Sequence, residues 1–160
     1  MAKLFLLLGG NLGNKSKIFE DTRELLQETV GEIVESSSVY ETEPWGFESS
    51  DLFWNQVLII QTKLQPEEVL KNTRKIEEQI GRERKAQRYV SRLIDVDLLF
   101  YDDLIVKTEE LEIPHPRMTD RRFVLVPLSE IAGSKVHPVL EKTIAELVNE
   151  CSDKLEVKKL

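Results

Sequence analysis

From Lys3 to Leu8 the chain is almost wholly apolar, the pattern of a strand buried on both faces. It runs into Gly9-Gly10-Asn11-Leu12-Gly13-Asn14, a glycine-rich turn. Helical spacing follows over Lys15–Thr29, with Ile18, Leu25 and Leu26 on the apolar stripe beside Phe19 and Thr22, and Gly31 ends it. Glu32–Tyr40 reads as a second strand, and Glu41–Asp51, with Pro44 and Gly46, as a loop. Leu52–Thr62 is a strong strand. Pro66 at a first helical position, with Glu67 and Glu68 behind it, opens a second helix, whose inner stripe is Val69, Leu70, Thr73, Ile76 and Ile80 and whose expected stop is Gly81. Arg82–Arg92 reads as a loop and Ile94–Tyr101 as a strand. Asp102-Asp103 then makes a hairpin turn into Leu104–Val106.

This order, βαββαβ, is the split pattern of a ferredoxin-like α+β fold with a mainly antiparallel sheet. The remainder adds an extended stretch over Leu111–Pro116, a short helix within Asp120–Ile131 and a last helix over Thr143–Asn149. At 160 residues the chain fits a single domain, 1–160, with a sizeable core. The net charge of −7 argues against a nucleic-acid partner. One cysteine, Cys151, excludes an internal disulfide and fits a reducing compartment. No apolar run is long enough for a membrane span. A cytoplasmic location is expected.

The chemistry concentrates in Ser91-Arg92-Leu93-Ile94-Asp95-Val96-Asp97-Leu98-Leu99-Phe100. A strand has period two, so Asp95 and Asp97 share a face. Two adjacent carboxylates on a core strand repel and resist desolvation, and a divalent cation removes both problems. Mg²⁺ takes one or two such carboxylates and leaves its other positions to water and phosphate. Solvated or ion-paired acids are the duller reading. Upstream lie Arg82, Arg84, Lys85, Arg88 and Arg92, with Tyr89 between the last two arginines. Arginine holds phosphate through paired hydrogen bonds, and an aromatic stacks on a flat ring. Together these features point to phosphoryl-type transfer from a nucleotide. Asn55 shares a strand face with Phe53, Val57 and Ile59, where an amide either ties down a loop or reads the edge of a heterocycle. Phe53 and Phe123 are candidate walls for such a ring. A lone histidine is more often structural than catalytic, but the stiff Pro114-His115-Pro116 segment could hold its imidazole against a phosphate, whereas His137 reads as structural.

These residues, in order, resemble the 6-hydroxymethyl-7,8-dihydropterin pyrophosphokinase family. The landmarks are Leu8-Gly9-Gly10-Asn11-Leu12-Gly13, Tyr40-Glu41-Thr42-Glu43-Pro44-Trp45-Gly46, Phe53-Trp54-Asn55, Gly81-Arg82-Glu83-Arg84, Arg92 to Asp97, Ile113 to Met118 and Arg121 to Leu128. The resemblance implies a monomeric three-layer α/β/α sandwich on a ferredoxin-like core, and transfer of pyrophosphate from ATP to the pterin hydroxymethyl, giving AMP, in folate biosynthesis. It implies two Mg²⁺ ions on Asp95 and Asp97, with Arg82 and Arg92 joining these acids as the catalytic set. It places the pterin among Thr42, Pro44, Trp45, Phe53, Asn55, Tyr89 and Phe123. ATP falls to Glu77, Arg84, Arg88, Arg92, Leu98, His115 and Arg121. The chain departs from the family pattern at Val90-Ser91, where Gly-Pro is usual, and at Phe53, where tyrosine is usual. The alternatives are a palm-type nucleotidyltransferase, which needs a third acid, and a non-catalytic ferredoxin-like ligand-binding module.

Overall fold

A computed structural model describes residues 1–43, 51–83 and 93–160, without the side chain of Glu83. Pro44, Trp45, Arg84, Arg88, Tyr89 and Arg92 lie outside the described residues.

The elements follow the order β1 (Ala2–Gly10), α1 (Lys15–Thr29), β2 (Glu32–Ser36), β3 (Tyr40–Thr42), β4 (Phe53–Thr62), α2 (Pro66–Glu83), β5 (Asp95–Tyr101), β6 (Val106–Lys107) and β7 (Glu112–Ile113). A short 3₁₀ turn (Met118–Asp120), α3 (Arg122–Ala132), α4 (Ile144–Glu150) and β8 (Lys158–Lys159) complete it. The main sheet runs β5-β1-β4-β3-β8, with β2 also on β4, and every pairing is antiparallel. With β2 and β3 counted as one interrupted strand, this is the strand order expected of a ferredoxin-like α+β core.

Alternation along β1 separates the layers. Leu4, Leu6 and Leu8 pack with Ile18, Leu26, Val69, Ile76 and Ile80 on the α1/α2 side. Phe5 and Leu7 pack with Val124, Leu125, Leu128 and Leu147 on the α3/α4 side. An apolar run on a central strand is thus explained by burial on both faces, at about 1.5–3 kcal/mol for each fully buried leucine. No helix among the described residues is long and apolar enough to cross a membrane.

Four local expectations need correction. The stretch Glu32–Tyr40 is not one strand. Ser37 interrupts it by donating its N–H to Val57 O (2.8 Å) while its Oγ accepts from Val57 N (2.9 Å), so the chain resumes pairing only at Tyr40. Gly81 does not stop α2, which continues to Glu83. The helical penalty for one glycine is only about 1 kcal/mol, small beside a packed apolar face. Gly9 and Gly10 are the end of β1 rather than a turn, paired with Asn55 and Trp54. After the turn at Asp102-Asp103 the chain does not return along β5; its short strand β6 pairs with β7.

Candidate active site

The antiparallel register brings the polar positions of three strands into rows. Gly9 lies opposite both Asn55 and Asp95, and Leu7 lies opposite both Val57 and Asp97. Residues opposite one another share a face, so Asn55, Gly9, Asp95 and Asp97 all look toward the α3 layer. The sequence places the two aspartates on one face; the sheet adds that Asn55 joins them there.

The absent side chain of Gly9 makes this possible. Asn55 is only 5% exposed, and its Nδ2 donates to Leu8 O at 3.3 Å across the space above Gly9. A Cβ on Gly9 would lie 2.8 Å from that nitrogen. Above this floor opens a cavity of about 300 Å³, lined also by Thr42, Phe53, Phe123, Arg121 and Leu155. Phe53 reaches it from the start of β4 with 36% of its surface exposed, and Phe123 from the first turn of α3. Two aromatic walls, an amide and a threonine suit a flat, polar-edged ring. Arg121 reaches this same cavity, its guanidinium carbon 5.7 Å from the centre of the Phe123 ring. Among the described residues it lines this cavity, beside the aromatic wall, and not the larger one along β5.

A larger cavity of about 660 Å³ lies along β5, the last strand of the sheet among the described residues, between α2 and the segment that carries His115. Glu77, Leu98 and His115, all expected on the nucleotide side, line it. Asp97 lines both cavities. Glu77 accepts from Val96 N at 2.8 Å and so clips α2 to the backbone between the two aspartates. Val96 thus turns its N–H outward, and the two-residue period turns the backbone of Leu98 outward as well, into the larger cavity.

Burial pushes the His115 imidazole below its ordinary 6.5, with Arg121 and Arg117 adding to that shift and Asp97 and Glu112 opposing it. Its Nδ1 accepts from Arg117 N at 3.2 Å, which leaves the neutral ring's proton on Nε2. His137 is buried against Phe100, its Nδ1 accepting from Val139 N and Leu140 N at 3.2 Å each, which fits its structural reading. Arg82 is 68% exposed on the last turn of α2 and paired with Glu78 at 3.2 Å, outside both cavities. Leu7, Gly9 and Leu155 are lining residues that the sequence reading missed. A glycine at the end of an apolar strand is a usable signal for Gly9, whereas Leu155 carries none.

The model of the family described as 7,8-dihydro-6-hydroxymethylpterin-pyrophosphokinase matches residues 5–133. The chain is 42% identical over 135 residues to the 2-amino-4-hydroxy-6-hydroxymethyldihydropteridine pyrophosphokinase of Porphyromonas gingivalis, covering 82% of this chain and 92% of that protein. It is 38% identical over 146 residues to the enzyme of the same name from Aquifex aeolicus, covering 91% and 90% respectively. Among solved structures, wild-type HPPK-DHPS of Plasmodium falciparum superposes with a TM-score of 0.76 at 19% identity, covering 93% of this chain and 44% of that one. At that identity the superposition speaks for the fold alone.

Proposed function

The chain belongs to the 7,8-dihydro-6-hydroxymethylpterin-pyrophosphokinase family, and on that premise we propose that it transfers pyrophosphate from ATP to the hydroxymethyl group of 6-hydroxymethyl-7,8-dihydropterin. The observation that carries this reading is Asp97, which lines both the ring-sized cavity and the larger cleft. A group at that position meets the acceptor alcohol on one side and the nucleotide's phosphates on the other.

The pterin lies between Phe53 and Phe123, with Asn55 and Thr42 at its edge; Pro44, Trp45 and Tyr89 complete the proposed set. ATP lies along β5. The outward backbone of Leu98 is available to its base, and the Nε2 proton of His115 to a phosphate. Arg84, Arg88, Arg92 and Arg121 are assigned to the phosphate chain. The pterin oxygen attacks the β-phosphorus, the bond from that phosphorus to the α,β-bridging oxygen breaks, and AMP leaves with the bridging oxygen while the hydroxyl proton is released. Arg82 and Arg92 are assigned to the charge that grows on the departing AMP. The ion pair that holds Arg82 to Glu78 is an exposed pair four residues apart on a helix, worth about 0.3–0.5 kcal/mol, too weak to keep the guanidinium from a polyphosphate.

The donor set fits Mg²⁺. Asp95 and Asp97 offer two carboxylates on one face, and no group of three or more acids, histidines and cysteines gathers among the described residues to hold a metal without substrate. Asp95 and Asp97 would hold two such ions, which would supply charge neutralisation and alignment of the transferred group. We assign the chain to the cytoplasm, as one domain acting as a monomer.

Incubation with Mg·ATP and the hydroxymethyl-dihydropterin should give AMP in step with pterin pyrophosphate. ADP as the product would replace this reading with an ordinary kinase, and free pyrophosphate with a nucleotidyltransferase. Asp97→Asn should lower kcat by at least a hundredfold, given that one lost transition-state contact of this type typically costs about 3 kcal/mol.

A further inference from the structure

The tail 151–160 lies beyond the matched residues 5–133, yet it contributes one side chain to the ring-sized cavity. That side chain is Leu155. It is half-buried and packs into neither of the two apolar cores.

The tail is fastened on both sides of Leu155. Before it, Asp153 accepts from Arg122 N through Oδ2 at 3.0 Å, at the start of α3, and from Leu155 N through Oδ1 at 3.0 Å. After it, β8 pairs with β3, Lys158 opposite Glu41 and Lys159 opposite Tyr40, and Leu160 N donates to Val39 O at 3.0 Å. One anchor is thus next to Phe123 and the other next to Thr42. The strap joins the two elements that carry opposite sides of the cavity and lays an apolar side chain across the gap between them. Leu155 also lines a neighbouring hollow with Glu41 and Leu52, so it stands between the two hollows. An aliphatic side chain left out of the core beside an aromatic slot loses its remaining exposed apolar surface when a ring occupies the slot.

We propose that Leu155 is the outer wall of the pterin pocket and a specificity-determining residue for the acceptor. The inference rests on the pterin reading of that cavity. Leu155→Ala leaves both anchors intact and removes only the wall.

The test is steady-state kinetics of the full chain, with pterin and ATP varied separately, together with equilibrium titration of the pterin's fluorescence in the presence of a nonhydrolysable ATP analogue. Leu155→Ala should raise the pterin KM and Kd about tenfold, the low end for apolar groups lost from a binding pocket. The ATP KM and kcat should stay within twofold. Val157→Ala, a tail change outside the cavity, should move none of them. An unchanged pterin KM in Leu155→Ala overturns the proposal, as does an equal shift in both variants, which would make the strap merely structural. If the wild-type chain makes no AMP but binds pterin more tightly than Leu155→Ala does, the wall stands and the assigned reaction falls. Failure of the wild type to bind pterin at all takes down both.

Discussion

Two neighbouring glycines at the end of β1 sit in contacts of different kinds. At Gly9 the nearest atom to an added Cβ is Asn55 Nδ2, the end of a side chain, at 2.8 Å. At Gly10 it is Leu93 O, a backbone atom, at 2.7 Å. A side-chain amide can swing aside, but a carbonyl leading into β5 cannot do so without moving the aspartates. Gly9→Ala should therefore cost under about 1.5 kcal/mol in stability while turning Asn55 away from Leu8 O, and the pterin KM should rise severalfold. Gly10→Ala should cost about 2–3 kcal/mol and lower kcat through the position of Asp95. Urea unfolding curves paired with pterin and ATP kinetics on both variants check this. Equal effects of the two on stability and on KM would contradict the contact geometry. At this scale the sequence was informative where period two alone sets the outcome, as for Asp95 and Asp97. It was silent where a residue's role depends on a partner dozens of positions away, as for Gly9 under Asn55.

Among the elements, β3 is held by more than its ladder. Tyr40 donates to Glu130 Oε1 on α3 at 2.7 Å, and Ser38 donates to the same carboxylate through its N–H and its hydroxyl, each at 3.0 Å. Burial and the adjacent carboxylate push the Tyr40 hydroxyl up to about 12. Burial alone would raise Glu130, but the hydrogen bonds from Tyr40 and Ser38 outweigh it and hold the carboxyl below its ordinary 4.5. A lowered acid contributes stability above its unfolded pKa and loses it as pH falls through the folded one. A raised tyrosine contributes below its unfolded pKa and loses it as pH rises through the folded one. The network thus acts between about pH 4.5 and pH 10 and fades on either side. Tyr40→Phe should lower stability by about 1 kcal/mol at neutral pH. Thermal unfolding across pH should show this difference shrinking toward pH 3 and above pH 10; a flat difference would remove Glu130 from the account. Helix α1 and the start of α2 were legible because apolar spacing and local caps fix them. The break at Ser37, the strand β8 and the Glu130 network were not, because each depends on pairing between segments that the sequence keeps far apart.

On the scale of the whole molecule, each edge of the sheet has its own treatment. The β3 edge is covered by β8, whose Lys158 and Lys159 are exposed, a charged finish that discourages strand addition by another chain and supports the monomer assignment. The β5 edge borders the larger cleft and is held by Glu77 at Val96 N and by His115 N at Leu99 O. The two cavities therefore engage different layers: the cleft borders α2, and the ring-sized cavity borders α3 and the tail. A ligand that binds only the folded chain stabilises it by about 2.7 kcal/mol at a hundred times its Kd. For a chain of this size that raises the melting temperature by about 5–10 °C. On the proposed assignment ATP and the pterin occupy cavities that share Asp97 among the described residues, so with Mg²⁺ and a nonhydrolysable analogue in place of ATP their increments should depart from simple addition, as those of contacting groups do. Chelation of Mg²⁺ should remove most of the nucleotide's increment, because the triphosphate then faces Asp97 and the acidic lining of Glu77, Glu78 and Glu112 without the metal's charge between them. On the proposed assignment the pterin's own increment should persist in larger part, since Phe53, Phe123, Asn55 and Thr42 line its cavity beside Asp95 and Asp97. Thermal scans of the four combinations, each with and without chelator, decide the matter. A nucleotide increment that survives chelation would separate Asp95 and Asp97 from metal binding altogether.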